Sequence, residues 1–157
     1  MNRLSRVAAA AALVGISVIA FSQGARPDPN KSAIDARQAV FKLIANQNGP
    51  IGAMFRPNGT FDAALAARNA ERVKMLAEMI PELFARDTRE YKEGNTKALD
   101  GIWTSPADFK AKADALVAAA DGVMMAAKTG DKDATQKANA EIGKSCGGCH
   151  ESFREKR

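Results

Sequence analysis

Apolar residues recur at steps of three and four along four stretches of this chain, the period of helices that bury one face. The first stretch carries Ile34, Arg37, Phe41 and Ile44, with Val40 and Leu43 beside them. Ser32-Ala33-Ile34-Asp35 resembles a capping box at its start, and Gly49-Pro50 is expected to end it. A Pro57-Asn58-Gly59 turn follows. Thr60 is placed to cap a second helix, Phe61 to about Ile80, with a mixed face of Leu65, Arg68, Arg72, Met75, Leu76 and Met79. The methionines read as core filler. Pro81 ends or kinks that helix, and a short helical turn is expected over Pro81–Phe84. Residues 82–104 are the least regular part, with Ile102 and Trp103 expected to pin the loop to the core. Ser105-Pro106-Ala107-Asp108 is a helix start of cap, proline and acid. The third helix runs to about Lys128 on Phe109, Ala113, Leu116, Ala120 and Val123. Asp131 caps a fourth, whose inner stripe is Ala134, Ala138, Ile142, Cys146, Cys149, His150 and Phe153. Short links join helices one to two and three to four. The fold expected is all-α, an antiparallel up-down-up-down four-helix bundle.

Composition supports helices. Alanine, leucine and lysine dominate, and β-branched residues are sparse. The N-terminus departs from the rest. Arg3 and Arg6 precede an apolar run from Val7 to Phe21, short for a membrane span, and Ala20-Phe21-Ser22 gives small residues at the spacing of a cleavage site. Residues 1–22 are therefore expected to be a signal peptide, 23–30 a polar linker and 31–157 the bundle. Cleavage after Gly24 or Ala25, or an uncleaved anchor, are the alternatives. The chain of 157 residues has a formal charge of +5. Removing the segment to Ser22, with two arginines and no acid, leaves +3. Basic and acidic residues alternate along the helices, which is a solvated-face pattern and not a nucleic-acid footprint.

The chemistry is concentrated near the C-terminus. Cys146-Gly147-Gly148-Cys149-His150 is Cys-x-x-Cys-His, the attachment sequence for a c-type haem. On a helix, residues three and four apart share a face, so both thiols and the imidazole point one way. Each thiol can bond a haem vinyl group while His150 reaches the iron. A thioredoxin-like pair would follow a strand, and none is predicted. A structural zinc needs about four donors, and these two cysteines and one histidine are all that the chain has. A bare disulfide leaves His150 without a role. Covalent haem attachment takes place outside the cytoplasm, which agrees with export to the periplasm. Arg37 lies on an otherwise apolar stripe. It is either a snorkelling surface arginine or a buried cation facing an anion such as a haem propionate. No Ser/His/Asp or paired-carboxylate arrangement suggests an enzyme.

From Ala36 to Arg157 the chain resembles the cytochrome c′ family of class II c-type cytochromes. The matching residues are Arg37-Gln38-Ala39-Val40-Phe41-Lys42, Ile102-Trp103 through Phe109-Lys110, and Gly143 to His150 with Phe153-Arg154. The resemblance implies one haem c held by Cys146 and Cys149 on the C-terminal helix, with His150 as axial ligand. In that family the residue four after the helix-one arginine faces the iron from the distal side. It is Met in low-spin cytochrome c-556 relatives and apolar in five-coordinate members. Here it is Phe41. The resemblance thus implies a five-coordinate iron under an apolar distal pocket, open to NO and CO, with electron transfer as the family role. It places Arg154 in the proximal pocket, where a helix-terminal cation is the alternative, and it implies a homodimer through the first two helices. The other functional reading is a six-coordinate electron carrier with Met54 or an external group on the iron. Neither the redox partner protein nor the physiological gas is identified by these residues.

Overall fold

The computed structural model describes residues 27–156. The expected signal peptide lies outside the described residues, as does the first half of the expected linker, residues 23–26. Four long helices form the bundle: α1 Pro29–Ala53, α2 Ala63–Glu78, α5 Pro106–Lys128 and α6 Lys132–Phe153. Two single-turn helices, α3 Ile80–Leu83 and α4 Gly101–Thr104, lie in the long connection between α2 and α5. Among the described residues the only β pairing is one isolated bridge, Ala98 with Arg154, and none of the helices is long and apolar enough to cross a membrane.

Capping decides most of the helix boundaries, and it moves several from where periodicity put them. α1 begins at Pro29 because Asp28 accepts from the backbone N–H of Asn30 at 2.7 Å and of Lys31 at 3.1 Å. Ser32 is therefore already inside the helix. Pro29 at the first turn costs nothing, since its missing N–H would have had no intrahelical partner. α1 also runs through Pro50 to Ala53. The carbonyl that Pro50 leaves unpaired belongs to Asn46, and both residues lie on the exposed side, where water can serve it. α2 is capped by Asp62, not Thr60, through a 2.9 Å bond from Leu65 N–H. α5 starts at Pro106 as expected, but the Ser105 hydroxyl makes no capping bond. Asp131 caps α6 by accepting from Ala134 N–H at 2.9 Å. The turn over Pro81–Phe84 appears as α3.

The core is built on small residues. Ala66, Ala70, Val73 and Ala77 line the buried face of α2, and Ala113, Leu116, Ala120 and Val123 that of α5. Alanine faces let these two helices pack most extensively on each other, and α5 then packs on α6. This register turns Met75 and Met79 outward, so they are surface residues and not core filler. Ile102 is buried, and the Trp103 indole donates to the Phe84 carbonyl at 2.9 Å, which ties the long connection down. α1 and α6 touch each other only sparsely. The gap between them is where the functional residues meet.

Candidate cofactor site

A cavity of about 300 Å³ opens between α1 and α6, floored by α3 and α5. Ile80, Phe109, Ala113 and Leu116 make the apolar floor. α6 supplies Ser145, Cys146, Cys149 and His150, brought to one wall by their spacing on the helix. α1 supplies Phe41, Ile44, Ala45 and Asn48 on the other wall. The two walls run antiparallel. A side chain on Gly52 would come within 3.9 Å of the Asn139 amide nitrogen. Phe41 and His150 line the same cavity, one on each wall.

The donor set fits a covalently held haem. Both cysteines are free thiols, half-buried on the cavity wall. Burial pushes both thiols up from their ordinary range; for Cys149 the Lys112 cation opposes this in part. His150 stands at the more exposed rim of the wall. Desolvation first, and then the Arg154 cation, lower its pKa and favour the neutral imidazole that binds metals. Among the described residues no three His, Cys, Asp or Glu side chains are grouped to hold an ion. The protein therefore offers iron one imidazole, with the thiols left for the porphyrin.

Two sequence-predicted residues are not on this cavity. Arg37 is buried, at 3% exposure, but its guanidinium faces the long connection and not the α1–α6 gap. It donates to the Leu83 carbonyl at 2.8 Å, the Thr88 hydroxyl at 2.7 Å and the Arg86 carbonyl at 2.5 Å. It also lies over the rings of Phe84 at 4.5 Å and Trp103 at 5.5 Å. Carbonyl dipoles, a hydroxyl and two ring faces satisfy the buried cation without a contacting anion. Burial lowers its pKa, and only the Asp87 charge acts the other way. Arg37 reaches the cavity indirectly. Phe84, which it covers, packs edge-on against Phe109 of the floor at 4.9 Å.

Arg154 is likewise absent from the lining. α6 ends at Phe153, and Arg154 is extended, because the chain pairs with the long connection. Leu99 N–H donates to Phe153 O at 3.1 Å and Glu155 N–H to Lys97 O at 2.9 Å. Arg154 caps α6, its N–H donating to His150 O at 3.2 Å, and its charge bears on that imidazole. Two lining residues were not anticipated. Asn48 has a buried side-chain oxygen with no hydrogen-bond partner, so the α1 wall is not wholly apolar. Its i+7 spacing from Phe41 was the available signal. Lys112 comes from α5 and has no such local mark.

Comparison with known proteins agrees with this geometry. The family profile described as Cytochrome C′ matches residues 32–154. Cytochrome c′ of Rubrivivax gelatinosus is 40% identical over 124 residues, which is 79% of this chain and 95% of the relative. The structure of cytochrome c prime from Shewanella frigidimarina aligns with a TM-score of 0.73 at 36% identity, covering 82% of this chain and 98% of that one. A nitric oxide complex of a mutant cytochrome c prime from Alcaligenes xylosoxidans aligns with a TM-score of 0.69 at 29% identity, covering 82% and 97%.

Proposed function

Because this chain belongs to the cytochrome c′ family of covalent haem c proteins, we propose that it is a periplasmic, five-coordinate haem protein that binds NO and CO, with electron transfer as its other role. The haem, when bound, supplies a one-electron redox centre and an iron that takes small neutral ligands. Cys146 and Cys149 fix its edge: each S–H adds across a vinyl group, sulfur to one carbon and hydrogen to the other, with no net oxidation. His150 would hold the iron from the α6 wall, and Phe41, 37% exposed on the α1 wall, would cover the other side.

The observation that carries five-coordination is the composition of the cavity wall. No methionine and no second imidazole line it. Met54, the ligand of the six-coordinate reading, is 4% exposed and packed in the core beyond the end of α1. A diatomic would enter on the Phe41 side, and the nitric oxide complex of the Alcaligenes relative supports that chemistry. No catalytic arrangement beyond the haem is read, and the protein is a carrier and binder, not an enzyme. Export on residues 1–22 belongs to the same reading, as does a homodimer through α1 and α2, where Leu43, Met75 and Met79 are exposed.

Absorption spectra of the purified protein, ferric and ferrous, with and without NO, test this. The ferrous form is expected to be high-spin, without sharp split bands, and to change on adding NO. A sharp low-spin α band in the absence of ligand refutes the open iron site.

A further inference from the structure

We propose that Lys112 sets the redox midpoint of the site, by holding a positive charge against the thioether edge. Its stem lines the cavity from α5, and its ammonium lies 3.7 Å from where a side chain on Gly148 would stand, between the two cysteines. Its charge reaches the Cys149 sulfur. Nearby lysines are paired: Lys74 with Asp121 at 3.0 Å, Lys110 with Asp114 at 2.7 Å, Lys144 with Glu141 at 2.6 Å. Lys112 makes no ion pair among the described residues, so no contacting acid cancels its field.

Going from ferrous to ferric adds one positive charge at the iron. A fixed cation beside the attachment edge raises the free energy of the ferric form more than that of the ferrous form. Lys112 therefore raises the midpoint potential and favours holding the electron. The half-buried position limits screening of this charge by salt without abolishing it. The inference rests on the covalent haem of the functional reading, and it assigns Lys112 a positioning charge, not a bond to iron.

The test is the midpoint potential of the haem-loaded protein, measured by spectroelectrochemistry in wild type and four variants. Lys112→Gln and Lys112→Met are expected to shift the ferric/ferrous ratio at fixed potential roughly two- to tenfold towards ferric, or about 18 to 59 mV downward for one electron. Lys112→Glu shifts it further the same way, and Lys112→Arg leaves it in place. The differences shrink as ionic strength rises. The Met variant keeps the apolar stem, so a packing effect alone would spare it. Equal midpoints for wild type, Met and Glu at normal haem content overturn the inference, as does an Arg variant that falls as far as Gln. Wild-type protein without covalent haem would overturn the functional reading and this inference with it.

Discussion

Removing the Arg37 guanidinium tests whether that residue acts as scaffold or as the expected haem-propionate partner. Arg37→Met keeps a stem of similar length and deletes every donor. Three acceptors then lose their partner: Leu83 O, Arg86 O and the Thr88 hydroxyl, the last on a residue 3% exposed. A hydrogen bond to a charged group contributes roughly 1.5–3 kcal/mol, and the two ring contacts roughly 0.5–1 each at partly exposed sites. The gross loss is then about 5.5–11 kcal/mol. Against it stands the desolvation of a buried cation, several kcal/mol, which the variant no longer suffers. The net expected is about 3 kcal/mol. In a chain of this size each kcal/mol moves the melting temperature by roughly 2–5 °C. Denaturant unfolding followed by far-UV circular dichroism, at matched haem content, gives the free energy directly. The visible spectrum of the native state should stay the same, because the guanidinium is on the other side of Phe84. A loss under about 1 kcal/mol refutes the clamp. An unchanged stability with an altered haem spectrum would return Arg37 to the propionate.

Phe41→Ala should raise CO affinity by opening the α1 side of the cavity, and Phe41→Met should move the iron towards low spin; CO titration and absorption spectra read both, and no change in either removes Phe41 from the distal side. Asp131→Ala should cost about 1 kcal/mol by leaving the Ala134 N–H of α6 without its acceptor, while Ser105→Ala should be nearly neutral, since that hydroxyl caps nothing; paired denaturant melts compare them. The Asp87 carboxyl is held below its ordinary range by hydrogen bonds from Arg89. Its folded pKa is the lower one, so its contribution is present above the unfolded value near 4 and fades as pH falls below it. Asp87→Asn should therefore flatten the loss of stability as pH falls below about 4; an unchanged acid limb contradicts the pairing.

Local chemistry made much of this fold legible. Pro106 and Asp131 mark helix starts whose signals lie within three residues, and the structure begins α5 and α6 at those places. The haem face of α6 is legible for the same reason, since Cys146, Cys149 and His150 are related by helical spacing alone. What the sequence hid is non-local. Arg37 finds its carbonyl and hydroxyl partners 46 to 51 positions away, in a stretch with no periodicity to place it. Arg154 leaves the helix because Lys97 and Leu99 offer it a backbone pairing, which counting from His150 does not reveal. The end of α1 was misjudged because Pro50 is a breaker only where its freed carbonyl cannot meet water, and Asn46 can. Lys112 became visible only when three separated helices closed around one space.

The two walls of that space come from opposite ends of the polypeptide. Phe41 leaves the ribosome, and crosses any membrane, roughly a hundred residues before His150. The intervening α2 and α5 can pair early, because their contacts need nothing from the C-terminus. The pocket cannot, since bringing such distant segments together is the slow, entropically expensive part of folding. Until α6 docks against α1 and α5, its attachment cysteines are not yet enclosed by the cavity walls.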